Sequence, residues 1–201
     1  WGGFILEPRV QTVIALDQNQ DPDIPNENAR AIEFDESNFY AIDRFPGYDR
    51  LDDGQRVDYG MTATALFSNG GRVSSFLGQS LARKPGDFTE AAGMPERASD
   101  IVTALNAQPS DILDLSWRTR LKKDGLGIRR NELTLGGGPE WLRGSISYVD
   151  TETEIQGPEI ANAAEQIQLG FGLQLDDYWR FNARHQRDLQ GNEPLLWSAA
   201  L

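Results

Sequence analysis

The chain has 201 residues, with 19 Lys and Arg against 31 Asp and Glu, a formal charge of −12 and a pI near 4.5. That balance argues against a surface for nucleic acid or anionic membrane, since either needs a basic face. The absence of cysteine excludes disulfide frameworks, Cys-based zinc sites and thiol nucleophiles, and one histidine leaves a single candidate His catalyst.

No apolar run approaches the ~18 residues of a membrane helix, and mean hydropathy is −0.51. A membrane β-barrel stays open, because its lipid face uses only alternate residues. The chain begins at Trp1 and stops at Leu201 inside an apolar stretch, so it is expected to be an internal piece of a larger protein.

The dominant period is two. An opening strand is expected from about Phe4 to Leu16. Val57, Tyr59, Met61, Ala63, Ala65 and Phe67 then alternate with Arg56, Asp58, Gly60, Thr62 and Thr64. Val73, Ser75 and Leu77 oppose Arg72, Ser74 and Gly78, with Phe76 out of step. Ile101, Thr103 and Leu105 alternate more weakly with Val102, Ala104 and Asn106. Leu113, Leu115, Trp117, Thr119 and Leu121 oppose Asp114, Ser116, Arg118, Arg120 and Lys122. Leu133 and Leu135 oppose Arg130, Glu132 and Thr134, and Leu142, Ile146 and Tyr148 oppose Arg143, Ser145 and Ser147. Ile167, Leu169, Phe171 and Leu173 oppose Gln166, Gln168, Gly170, Gly172 and Gln174. Trp179, Phe181 and Ala183 oppose Arg180, Asn182 and Arg184, and a last strand starts near Leu195. This gives roughly ten strands of about ten residues, the length a tilted membrane strand needs.

The joints follow a rhythm. Asp17 to Asp53, Ala82 to Arg97 and Asp150 to Asn162 are long, and Asp188 to Pro194 is longer than a tight turn. The joints between them are tight, including Ser68 to Gly71, Gln108 to Ser110, Gly136 to Glu140 and Asp176-Asp177. Long loops at one end and tight turns at the other build an up-and-down outer-membrane barrel; only Lys122 to Gly125 is shorter than its side suggests. Trp141 and Tyr178-Trp179 follow tight turns, where they fit either an interfacial girdle or the strand starts of a soluble sandwich. The polar column is rich in Arg, Ser, Gln, Asn and Gly, whereas Lys occurs only at 84, 122 and 123. A confined interior favours the multi-donor Arg fork over Lys, which favours the barrel over the sandwich.

The first long loop carries the most distinctive residues: Ile24 to Glu27, Phe34 to Tyr40, and Asp43-Arg44-Phe45-Pro46-Gly47-Tyr48-Asp49-Arg50. With Arg56 to Gly60, Val73 to Gln79, Arg129 to Glu132 and Gly138 to Leu142, the chain resembles the C-terminal outer-membrane barrel of the lipopolysaccharide-assembly protein family LptD, the organic solvent tolerance proteins. The resemblance implies an all-β fold, an antiparallel up-and-down transmembrane β-barrel segment, with residues 1–201 forming part of one C-terminal barrel domain and holding fewer than half of its strands. The resemblance implies that the periplasmic jellyroll domain, the first strands, the closing strand and the lateral gate lie outside this piece, and the family's cysteines do not occur in it. The implied function is a non-enzymatic outer-membrane translocon that inserts lipopolysaccharide into the outer leaflet. Implied partners are lipopolysaccharide, the plug lipoprotein LptE, the periplasmic bridge protein LptA and outer-membrane lipids, with no nucleic acid and no cofactor. The family-like loop residues are Asp35, Asn38, Arg44, Gly47, Tyr48, Asp49 and Arg50.

The polar column supplies the candidate lumen-lining residues Arg56, Arg118, Arg120, Arg130, Glu132, Arg143, Arg180 and Arg184. Such a ladder can contact the sugars and phosphates of a substrate or a plug protein; the alternative is that these groups pair with inward carboxylates and loop acids. The loop from Asp17 to Asp53 holds eleven acids against three arginines and is expected to fold back into the barrel mouth, with Arg44 and Arg50 paired to acids. Asp17, Asn19, Asp21 and Asp23 have calcium-loop spacing, but Pro22 stands where an EF-hand needs Gly and Asn28 where it needs Glu, so a solvated acidic loop is the better reading. His185 shares the apolar parity of Phe181 and Ala183, the wrong facing for a catalytic His. Gly136 to Gly138 lacks a phosphate-loop context and reads as a turn. Two other functions stay open: a small barrel protease or acyl hydrolase, and a soluble extracellular β-domain with a binding role.

Overall fold

The computed structural model describes residues 2–15, 33–45, 52, 54–85, 93–94, 96–152 and 165–201. Ten strands follow in chain order: β1 (Phe4–Ile14), β2 (Gln55–Leu66), β3 (Arg72–Ala82), β4 (Ile101–Ser110), β5 (Leu113–Leu121), β6 (Ile128–Gly137), β7 (Leu142–Thr151), β8 (Glu165–Gln174), β9 (Arg180–Asp188) and β10 (Pro194–Ala200). They form one antiparallel sheet in which each strand pairs only with its sequence neighbours, an up-and-down meander. The sheet is not closed, as befits a segment of a larger barrel.

The registers carry each face unbroken across the sheet. One row runs Arg9, Gly60, Gly78, Val102, Arg120, Arg130, Thr151, and the next runs Glu7, Thr62, Phe76, Ala104, Arg118, Glu132, Val149, Gln166, Asp188. The opposite face carries the Leu105, Trp117, Leu133, Tyr148, Ile167 row. Because the side-chain period of a strand is two, these pairings hold the apolar column on one side throughout.

The apolar side is the exposed one. Val10, Met61, Leu77, Trp117, Leu135, Ile146, Leu169, Phe171 and Trp197 all stand open, while Arg56, Asp58, Ser80 and Arg120 on the polar side are buried. That is the reverse of a sheet folding around an oily core in water. No second layer of described residues covers the apolar side. Two polar groups on that side are paired locally: Trp117 Nε1 donates to Asn131 Oδ1 at 2.6 Å, and Tyr59 Oη donates to Gln79 Oε1 at 2.6 Å. An unpaired donor or acceptor in an apolar surrounding is costly, so such pairing is expected there.

Tight turns close the even joints. Gly70 takes φ +83° in the β2–β3 turn, a value that suits glycine. Asp176 caps the β8–β9 turn by accepting from the Tyr178 and Trp179 amides, both at 2.8 Å. That end presents Phe67, Ile112, Trp141, Tyr178 and Trp179 as exposed apolar groups. Pro8 lies on β1, which has a partner on one side only, and Pro109 lies at the bulge between Ala107 and Ser110, places where a missing N–H is tolerated.

Candidate functional site

The site grows from the end of the first long loop. Asp35 Oδ1 accepts from the Ser37 amide at 2.8 Å and from Ser37 Oγ at 2.6 Å. Asn38 closes the same turn, with Oδ1 accepting from the Asp35 amide at 3.1 Å and Nδ2 donating to the Glu33 carbonyl at 2.6 Å. Short Asx side chains that bond nearby backbone favour turns over strands. This turn aims Phe34 and Phe39 at the polar face of the sheet.

Phe39 is 0% exposed, and it packs with Phe34, Met94 and Val102, with Tyr40 and Phe76 alongside. Its ring lies 5.3 Å from Phe34, 5.1 Å from Phe76 and 4.8 Å from Tyr40, centroid to centroid. The paired glycines Gly60 and Gly78 make room for this. A Cβ at Gly78 would stand 2.6 Å from Phe39 Cζ, and one at Gly60 would stand 2.8 Å from the Tyr40 hydroxyl. Phe76 breaks the alternation of β3 because its partner is the loop and not the sheet's outer surroundings. Val102 and Ala104 weaken the β4 pattern for the same reason: both are buried on the polar side, and Val102 belongs to the same cluster. Fully burying a side chain like Phe39 contributes about 1.5–3 kcal/mol.

A buried ionic cluster lies beside this core. Asp58, 0% exposed, accepts from Arg44 Nη2, from Arg56 Nε at 3.1 Å and from Ser80 Oγ at 2.6 Å. Arg44 also donates to the Phe39 carbonyl at 3.2 Å and to Ser80 Oγ at 3.1 Å, and its guanidinium covers the Phe34 ring at 4.7 Å. Arg56 Nη1 stands 2.8 Å from Asp52 Oδ2, and Arg56 Nη2 donates to the Ile42 carbonyl at 2.8 Å. One carboxylate thus holds two buried arginines, one from the loop and one from the wall. Burial, and then the neighbouring Arg56, lower the pKa of Arg44. Burial pushes the Asp52 carboxyl up to about 6, against the pull of Arg56 and Arg44.

A second set of pairs lies over β5 and β6. Arg118 Nε donates to Glu36 Oε1 at 2.7 Å and stands near Glu132 at 3.5 Å. Arg130 pairs with Glu33 and Glu132 and donates to Thr151 Oγ1 at 3.0 Å. Arg120 and Arg129 flank Asp100 at 3.7 and 2.8 Å. Burial raises the pKa of Glu33 against the pull of Arg130, and that of Asp100 against Arg129 and Arg120. Gly93, at φ +75°, lets the second long loop reach this spot: its carbonyl accepts from the Asp100 amide at 2.8 Å, and a Cβ there would meet Arg120 Cδ at 2.8 Å.

Of the candidate lining residues, Arg56, Arg118, Arg120, Arg130 and Glu132 therefore share one loop-covered region, with Arg44, Asp35 and Asn38 of the loop motif. Arg143 pairs with Asp114 half-exposed, Arg180 donates to Gln174 at 3.1 Å, and Arg184 is exposed with no ion pair among the described residues. Gly47, Tyr48, Asp49 and Arg50, and the calcium-spaced Asp17, Asn19, Asp21 and Asp23, lie outside the described residues. Sequence reasoning left out Asp58, Asp52, Ser80, Asp100, Glu33 and Glu36 as site residues. The available signal was the acid at Asp58 two places after Arg56 on the inward column, together with the out-of-step Phe76.

A cavity of about 390 Å³ opens beside the cluster, with Arg44, Asp52, Arg56, Ser80 and Met94 among its lining. Among the described residues no His, Asp and Glu group is placed to hold a metal ion. His185 sits on the apolar face with its ring 4.2 Å from that of Trp197, away from the buried ion pairs of the polar face. The arrangement can bind and orient polar groups and orders the loop against the wall.

In comparisons with known proteins, the family model described as LPS transport system D, where LPS is lipopolysaccharide, matches residues 4–179. No curated protein matches the chain. With an up-and-down sheet, an exposed apolar face and a match over most of its length, the chain belongs to the LPS transport system D (LptD) family.

Proposed function

We propose that this chain is part of the wall of an outer-membrane β-barrel that receives lipopolysaccharide and inserts it into the outer leaflet. The observation that carries the proposal is the inverted sheet: apolar side chains such as Val10, Met61, Leu77, Trp117, Leu135, Ile146, Leu169 and Trp197 stand open on one face, while Arg56, Asp58, Ser80 and Arg120 are buried on the other. Acyl chains suit the first face and a water-filled interior the second. Residues 1–201 then belong to one barrel domain. The resident partners are outer-membrane lipids, the plug lipoprotein LptE and the periplasmic bridge protein LptA, as the family membership suggests. On this reading the protein moves an amphiphile and breaks no bond, as the family membership suggests, and His185 lies against Trp197 on the lipid side.

The test uses adjacent residues of β8 in the whole protein, in cells that depend on it. Leu169→Arg places a charge on the lipid side, where it costs about 2–4 kcal/mol at mid-membrane. It should reduce barrel assembly and surface lipopolysaccharide, while Gln168→Arg is tolerated. Equal tolerance of the two substitutions, or normal surface lipopolysaccharide in cells depleted of the protein, would overturn the reading.

A further inference from the structure

We infer that residues 33–45 are a resident plug: a segment of the chain that occupies the polar face of β2 to β6 and closes it to cargo. The inference rests on the reading of the polar face as the wall of a wet interior. Three independent features seat the segment. Phe39 sits over Gly78, and the Tyr40 hydroxyl over its paired glycine Gly60. Arg44 is tied to the wall through Asp58 and Ser80, both on strands, and with Asp52 it joins the wall's Arg56 and Asp58 in a buried set of two cations and two carboxylates. Tyr40 reaches β1, where its hydroxyl donates to the Arg9 carbonyl at 3.2 Å, Gln11 Nε2 donates to its carbonyl at 3.1 Å, and the Arg9 guanidinium covers its ring at 4.1 Å.

A surface loop that merely packed on itself would not need glycines cut into the strands beneath it, nor a wall carboxylate sunk to zero exposure. The wall here is shaped for the segment. The polar side of β7 to β9 has no such cover among the described residues: Arg143, Ser145, Asn182 and Arg184 are all exposed. Polar cargo therefore has β7 to β9 to run against while the segment is seated, and gains β2 to β6 only when it leaves. The same contacts that stabilise the segment act as an autoinhibitory hold.

The experiment labels single cysteines with a membrane-impermeant maleimide in the whole protein, in outer-membrane vesicles. The chain has no cysteine of its own. Ala104→Cys reports the covered wall and Ser145→Cys the open wall. Ser145→Cys is expected to react roughly tenfold faster or more, because the covered site reacts only through local opening. Gly78→Leu drives the Phe39 ring out, and Phe39→Ala removes the anchor. Each should speed the Ala104→Cys reaction by roughly tenfold, leave Ser145→Cys unchanged, and admit a large hydrophilic antibiotic. Equal labelling of the two cysteines without further change, or no acceleration by either unseating variant in a barrel that keeps its heat-modifiable gel migration, overturns the plug. Failure of the wall reading shows elsewhere, as equal tolerance of arginine at 168 and 169.

Discussion

The polar face has two halves built from the same residue types and put to different uses. Over β2 to β6 Arg56 and Arg120 are buried, Arg118 and Arg130 are partly covered, and each of these four meets an acid, several of them from loops: Arg118 meets Glu36, Arg130 meets Glu33, and Arg56 meets Asp52. Over β7 to β9 Arg180 and Arg184 stay exposed, among Ser, Gln and Asn. An arginine on the polar column therefore has no fixed role. Where a loop arrives with carboxylates and aromatic rings, it becomes part of an ordered, dry contact. Where none does, it remains a solvated donor available to a polar partner.

The largest expected effect that tests this contrast is at Asp58. Asp58→Ala leaves Arg44 and Arg56 as buried cations without their shared partner and should cost about 3–5 kcal/mol. Arg184→Ala on the open half should stay within about 0.5 kcal/mol, with urea unfolding of the detergent-solubilised protein as the measurement. Equal losses would erase the distinction between the halves.

Phe39→Ala should cost about 3 kcal/mol, the lower end for a buried Phe because neighbouring loop rings can close in. Its signature is local: amide exchange should quicken over residues 33–45 and stay unchanged in β7 to β9. Exchange that quickens throughout would mean that the two halves form one cooperative unit.

Asp52 sharpens the comparison through pH. Its folded-state pKa of about 6 lies above the ordinary carboxylate value of 3.8. The folded form therefore binds the proton more tightly, and the stabilisation is complete below the unfolded value and is lost as pH rises through about 6. Stability of the loop contact should fall by up to about 3 kcal/mol between those limits. Asp52→Asn should flatten the profile, read as loop exchange against pH. A small, salt-sensitive effect belongs to the half-exposed Arg143–Asp114 pair, where Arg143→Ala should change stability by under about 1 kcal/mol and lose even that at high salt.

The strands were legible because period two is a strong signal and each strand neighbours the next in sequence. The runs at Leu113 to Leu121 and Gln166 to Gln174 agree with β5 and β8 almost residue for residue. The loop cover was only partly legible. Phe76 stood out as misplaced, yet nothing local to it says that Phe39, far back along the chain, is its partner. Asp58 reads like any polar residue of an alternating strand, and its buried state depends on Arg44 arriving from the loop.

What the sequence determines by itself is the sheet: alternation fixes which residues share a face, and joint lengths fix an up-and-down order, because both are local properties of neighbouring segments. What the tertiary structure decided is which arginines are free. Charge pairing between Glu36 and Arg118, or between Arg44 and Asp58, joins residues far apart in the chain, and the second pair draws its strength from exclusion of water. Burial of that kind is set only once the loop has found the hollow at Gly60 and Gly78.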